Sequence, residues 1–183
     1  KMLRRAVLEA YINSRITVFI EPIALYMVKD LHKTKDAKWS FNYPSPEEDI
    51  PIGEFGVYGR GSSLTIISYA NGFYLSMQAK LEIEKQINKT IKIIDLRWLS
   101  DINISDLIKS IGKCSKILVV DECRKNGCYG EGLVADIIAS SNNPIDIRLH
   151  AAENSFIPLG EAATVTLPSK ESIIDNAIEL YNE

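Results

Sequence analysis

The sequence predicts a three-layer α/β/α fold on a mostly parallel sheet, and two observations carry that reading. Over residues 63–183, four short apolar runs alternate with longer amphipathic stretches, and the runs are apolar on both faces. Strands buried on both faces and separated by single helices require a largely parallel sheet covered on each side. Composition agrees, with 46% of the 183 residues hydrophobic and 25% charged, as in folded globular chains. That length suits one α/β domain with a short appendage.

The appendage comes first. Leu3, Ala6, Val7, Ala10 and Tyr11 recur at helical spacing, and after a turn at Asn13-Ser14 the β-branched and aromatic run Ile16 to Ile20 reads as a strand. Lys29 to Lys38 is polar, and Pro44, Pro46 and Pro51 lie close together around Glu47, Glu48 and Asp49. Proline lacks the backbone donor and restricts the residue before it, so neither helix nor strand is expected there. The expected division is residues 1–43 as the tail of an upstream domain, 44–62 as a linker and 63–183 as the α/β domain. Because Lys1-Met2-Leu3 opens on what reads as mid-helix, the chain is expected to be a fragment.

The α/β domain then unfolds in order. Leu64 to Tyr69 is a strand, and Gly72 to Ile87 a helix with Tyr74, Met77 and Leu81 on its inner side. Ile91 to Leu96 is the second strand, followed by a helix carrying Ile104, Leu107, Ile108 and Ile111. Lys116 to Asp121 is the third strand, and Val134, Ile137 and Ile138 mark the next helix. Ile145 to Leu149 is the fourth strand, and a helix from about Lys170 places Ile173, Ala177 and Tyr181 on one face.

Several chemistries are excluded. A net charge of −3 and the lack of a Lys/Arg stripe interleaved with aromatics argue against a nucleic-acid partner. No apolar run approaches the roughly 18–20 residues of a membrane span. Three cysteines, Cys114, Cys123 and Cys128, make an odd count without a signal-type stretch, so reduced thiols and a cytoplasmic setting are expected. Cys123 and Cys128 have neither zinc-knuckle nor thioredoxin-like spacing, and His32 and His150 are expected at surface or turn positions.

Function in such sheets gathers at the carboxyl ends of the strands. Ser68-Tyr69-Ala70-Asn71-Gly72 carries no Walker pattern and reads as a tight turn, as does Gly59-Arg60-Gly61. The run from Asp121 to Gly132 is the densest polar cluster, and its glycines suit a structural turn at an interface. Asp121 and Glu122 are neighbours on an extended strand and point to opposite faces, which rules against shared acid/base work. Arg97 ends the second strand; Trp98 is expected to pack beneath the loop, with Ser100 or Asp101 capping the next helix.

Phe19-Ile20-Glu21-Pro22-Ile23-Ala24-Leu25-Tyr26 resembles the end of the pyrimidine-binding domain in the β-type subunit of 2-oxoacid dehydrogenase first components. Gly61 to Tyr69 with Asn71-Gly72 resembles the opening of that family's transketolase-like C-terminal domain. Asp95-Leu96-Arg97, Leu99-Ser100, Val119-Val120-Asp121-Glu122, Gly130-Glu131 and Phe156-Ile157-Pro158-Leu159-Gly160 with Ala162-Ala163 continue the match. Lys29-Asp30-Leu31-His32, Trp39, Tyr43-Pro44 and Pro51-Ile52-Gly53-Glu54 look like the branched-chain type, in which α- and β-type halves can be fused. The chain departs from the pattern at Asp101, where proline often follows Leu-Ser, and at Cys123, where glycine often follows the glutamate.

The resemblance implies a whole protein that decarboxylates a 2-oxoacid on thiamine diphosphate and passes the acyl group to a lipoyl group. Its cofactor's diphosphate and magnesium would be held by the α-type half through a Gly-Asp-Gly motif, which this chain lacks, and the activating glutamate would lie upstream of Lys1. No catalytic, cofactor-binding or metal-binding residue is therefore assigned here, and no bound cofactor is expected. The implied partners are the α-type half, a second copy in a homodimer or α2β2-like assembly, and the lipoyl acyltransferase core, with Asp121, Glu122, Tyr129 and Arg97 as expected contacts. Two other classes stand beside this one: the last domain of a transketolase or deoxyxylulose-phosphate synthase, and a free-standing flavin- or nucleotide-binding domain, which the missing phosphate motifs disfavour.

Overall fold

The computed structural model describes residues 1–183, apart from the side chain of Ala163. In chain order the elements are α1 (Met2–Asn13), β1 (Gly56–Tyr58), β2 (Thr65–Ser68), α2 (Ala70–Ile87), β3 (Lys92–Asp95), α3 (Ile104–Ile111), β4 (Lys116–Arg124), α4 (Tyr129–Ser140), β5 (Asp146–Ala152), a single helical turn α5 (Ala163–Thr166) and α6 (Lys170–Asn182). The strands form one sheet in the order β1-β3-β2-β4-β5. All neighbours run parallel except β1, which is antiparallel to β3.

The double-sided burial that predicted this sheet is visible residue by residue. Ile66, Ile93, Leu118 and Val120 pack against Phe73, Ala79 and Ile83 of α2 and Ile173, Ala177 and Leu180 of α6. Their strand neighbours Ile67, Ile94, Ile117 and Val119 pack on the other side against Leu107 and Ile111 of α3 and Leu133 and Ile137 of α4. Alternate side chains of a strand point to opposite faces, so an apolar run feeds both layers at once. The three-layer reading is borne out.

Some details differ. Ile16 to Ile20 is not a strand: no other strand lies beside it, and Ile16 is 97% exposed. A strand needs a partner for its backbone groups, and propensity alone supplies none. The inner faces of two helices are also rotated from expectation, leaving Leu81 and Ile138 outward. Small residues decide the first case, since Gly72, Ser76 and Ala79 let α2 lie close to the sheet. On α6, Leu180 rather than Tyr181 completes the buried face. Asn103, not Ser100 or Asp101, caps α3, its side chain accepting from the Asp106 backbone N–H at 3.1 Å.

Residues 44–62 contain β1, whose pairing with β3 extends the sheet. The preceding polar stretch also packs on the domain. Trp39 lies against Phe73 and Tyr74 with ring centroids 5.6 and 4.8 Å apart, and the Tyr74 hydroxyl donates to the Asp30 carbonyl at 2.9 Å. In α1 the polar face is held, with Arg5 paired to Glu9 at 2.6 Å and to Asp49 at 3.2 Å, while Leu3, Val7, Tyr11 and Ile12 face outward.

Candidate functional site

The polar cluster expected at the strand ends forms where β2 and β4 finish side by side. Ser68, buried, donates its hydroxyl to the Val120 carbonyl at 2.9 Å and so fastens the two ends together. One residue further along each strand, the Tyr69 hydroxyl donates to Asp121 Oδ1 at 2.7 Å. The same oxygen accepts the Cys123 backbone N–H at 2.9 Å, and Oδ2 accepts that of Gly130 at 2.8 Å. Asp121 is only 1% exposed, so three donors on one carboxylate are what make its burial tolerable.

Backbone irregularity sets this up. Between Asp121 and Arg124 the pairing of β4 with β5 slips, which releases the Cys123 N–H from the ladder and leaves the Asp121 side chain to satisfy it. Gly130 stands so close that a Cβ there would lie 2.6 Å from Leu149 Cδ1 and 3.3 Å from Asp121 Oδ2. Only glycine lets the first turn of α4 bring its N–H onto the carboxylate. Tyr129 then sets its ring edge-on to Tyr69, with centroids 6.1 Å apart.

The bonds to Asp121 make this cluster a holder of loops. Burial, then the bond to Asp121, pushes the Tyr69 phenol well above its ordinary value, so it stays a donor. Partial desolvation, reinforced by Asp121 and Glu122 and opposed by the bond from Tyr69, raises the thiol of the exposed Cys123. Burial raises the Glu122 carboxyl, opposed by the Asn71 side chain and reinforced by Asp121. Glu122 faces a cleft beside α2 and α6, whereas Asp121 faces Tyr69 and Gly130, so the two point apart as expected.

Arg97 sits elsewhere, past the end of β3, with a left-handed φ of 59°. Its guanidinium donates to Asp95 Oδ2 at 3.4 Å and to the Tyr58 hydroxyl at 3.3 Å, and lies 3.8 Å from Glu54. It clasps β1 to the end of β3. Of the four expected contact residues, the structure thus brings Asp121, Glu122 and Tyr129 to one rim and turns Arg97 to its own chain. Asp121 is corrected from a contact to an internal anchor, because no donor from outside can reach a carboxylate already enclosed. His150 is also corrected: it lies half-buried on β5, its Nε2 2.8 Å from the Ser172 hydroxyl. Trp98 is buried as expected, with its indole N–H unpartnered. Ser68 and Tyr69, which the sequence presents as part of a tight turn, join the rim instead.

Two open clefts lie on the surface, the second of them including Glu122 of the rim. One, of about 550 Å³, has Glu54, Asp101 and Asp106 in its wall, and that negative charge opposes a diphosphate. The other, of about 410 Å³, lies between α2 and α6 and includes Gln78, Glu122 and Lys170. Among the described residues no three His, Cys, Asp or Glu side chains gather to hold a metal ion. The acidic lining of the first cleft does not fit a diphosphate. The three cysteines are free thiols, with Cys123 exposed, and no helix among the described residues is long and apolar enough to cross a membrane.

A doubly covered, mostly parallel α/β domain with a hydrogen-bonded rim at its strand ends is the class defined so far. The family model for the transketolase C-terminal domain matches residues 53–153, and the chain belongs to that family. It is 34% identical over 146 residues to the pyruvate dehydrogenase E1 component subunit beta of Staphylococcus aureus, covering 76% of this chain and 44% of the relative. The Staphylococcus epidermidis protein of the same name is 34% identical over 144 residues, covering 75% and 43%. The chain thus spans less than half the length of these curated relatives. Among solved structures, a split-gene transketolase described as an inactive beta4 tetramer aligns with a TM-score of 0.61 at 18% identity, over 75% of this chain and 45% of that one. A 2-oxoglutarate:ferredoxin oxidoreductase from Magnetococcus marinus aligns at 0.50 and 17% identity, over 70% and 20%. At those identities the structural likeness speaks for the fold.

Proposed function

We propose that this chain is the C-terminal, assembly-forming part of the β-type side of a thiamine-diphosphate-dependent 2-oxoacid dehydrogenase. The observation that carries the reading is the 34% identity to pyruvate dehydrogenase E1 beta subunits over three quarters of the chain. The whole protein would oxidatively decarboxylate a 2-oxoacid, of the branched-chain type by the resemblance of residues 29–54, and transfer the acyl group to a lipoyl group, in the cytoplasm. Residues 1–43 belong, in this reading, to an upstream pyrimidine-binding domain, and the outward apolar side chains of α1 and of Ile16 to Ile20 support it.

Thiamine diphosphate and magnesium would be held by the α-type half, in keeping with the acidic lining of the first cleft here. This part would pair with a second copy and with the α-type half, and dock the lipoyl acyltransferase core. Glu122 and Tyr129 are the proposed contacts. Asp121 and Arg97 act behind them, fixing the loops that carry such surfaces.

The test is an assay of the full-length gene product for reduction of an artificial electron acceptor, with and without thiamine diphosphate and magnesium. Cofactor-dependent turnover of branched-chain 2-oxoacids is expected. Ketol transfer between sugar phosphates with no 2-oxoacid turnover would overturn the dehydrogenase reading in favour of a transketolase. Complex assembly unchanged by Glu122→Ala with Tyr129→Ala would remove those two contacts.

A further inference from the structure

The stretch from Lys29 to Lys38 folds around two carboxylates. Asp36 accepts the backbone N–H groups of Leu31, His32, Lys33 and Lys38, and Asp30 those of Lys35 and Ala37, at 2.7–3.0 Å. With its backbone turned inward, the loop leaves Lys29, Lys33, Lys35 and Lys38 exposed, and none of them forms an ion pair among the described residues. The loop is fixed to α2, where Gln78 donates to the Leu31 carbonyl at 2.9 Å. Lys170, at the start of α6, lies close by: with Lys38 and Lys80 it adds to burial in holding His32 below its ordinary value, against Asp36.

Gln78 and Lys170 also line the cleft of about 410 Å³, which continues from the loop over Leu75, Leu167 and Pro168. We propose that the lysine-rimmed loop and this cleft form a docking surface for an acidic segment of a partner protein, one carrying an aliphatic side chain that seats against Leu75 and Leu167. Four unpaired cations on a prefolded loop attract carboxylates without an ordering cost to the loop itself. Glu122 and Glu171 stand in the same cleft and would repel a long polyanion, while a short segment pairs with the rim and leaves them aside. Trp39, the loop's aromatic, is turned onto Phe73 and Tyr74. The surface does not depend on which reaction the whole protein performs.

The experiment measures binding of a fluorescent Glu-Glu-Leu repeat peptide, poly-uridylate and phosphatidylserine vesicles to the chain at low and physiological salt. The peptide is expected to bind, more weakly as salt rises. K33Q/K35Q/K38Q is expected to weaken it about tenfold, each exposed pair contributing roughly twofold. K85Q/K89Q/K113Q, an equal loss of charge elsewhere, leaves the affinity unchanged. A single Lys33→Glu serves as the second variant, with a smaller loss of the same sign. Equal affinities in the two triple variants would overturn the proposal, and so would tighter binding of poly-uridylate or vesicles than of the peptide.

Discussion

Two stretches of similar composition, Ile16 to Ile20 and Thr65 to Ile67, have opposite fates. Both are short and rich in β-branched residues, yet Ile66 and Ile67 are 0% exposed at the centre of the sheet while Val18 is 81% exposed in extended coil. What separates them is neighbours. β2 is paired by β3 on one side and β4 on the other and covered by helices on both faces, whereas residues 16–20 have no strand to pair with in this chain. Strand propensity states what a segment will do once a partner arrives, and the partner decides.

The contrast can be broken by truncating one isoleucine in each stretch and following urea unfolding. Ile66→Ala is expected to cost about 4 kcal/mol, as for large-to-small changes in a packed core. Ile16→Ala is expected to stay within about 0.5 kcal/mol, the range of surface substitutions. A comparable loss at Ile16 would mean that the N-terminal stretch is packed after all.

Asp121→Ala, next in size, sharpens the contrast at the strand ends. It strands the N–H groups of Cys123 and Gly130 and the Tyr69 hydroxyl, for an expected loss of about 2–3 kcal/mol. Tyr69→Phe removes one of the three bonds and should cost about 1 kcal/mol. If the two changes were equal in the same denaturation experiment, the carboxylate would not be the organiser of the rim.

A stabilising change comes next. Ala70 opens α2 with φ at 49°, a left-handed conformation that a Cβ disfavours. Ala70→Gly is expected to gain up to about 1 kcal/mol, the relief of that strain less the glycine's greater freedom when unfolded. A lowered melting temperature would contradict it.

The smallest effect is a pH dependence in the Asp36 loop. Partial burial raises the Asp36 carboxyl, but its four backbone donors outweigh that and hold it far below the usual carboxylate range. A carboxyl depressed on folding stabilises the folded loop above its unfolded value, near 4, and the contribution is lost as pH falls toward the depressed value. Amide exchange at His32 and Lys33 should therefore accelerate as pH drops below about 4, beyond the intrinsic change, and Asp36→Asn should abolish that dependence.

The sheet and its helices were legible because periodicity is a local property, written within windows of a few residues. The rim was half legible: Asp121, Glu122 and Tyr129 stood out as a polar cluster, but the bond from Tyr69 to Asp121 spans 52 residues and no local pattern announces it. Arg97 shows the same limit, since its clasp onto Tyr58 spans 39 residues. The folded loop of residues 29–38 looked like plain polar chain because its order comes from two carboxylates gathering six backbone donors rather than from any repeat.

β1 is only three residues long, yet its direction decides from which side the 55 residues before it enter the sheet. Because it runs against β3, with Gly56 opposite Asp95, the chain preceding it arrives at the carboxyl ends of the other four strands. Had β1 run parallel, the chain would have entered it at the amino ends of the other strands instead. One reversed strand therefore acts as the compass of this protein, bringing its outward apolar helix, its lysine-rich loop and its strand-end rim to a common pole.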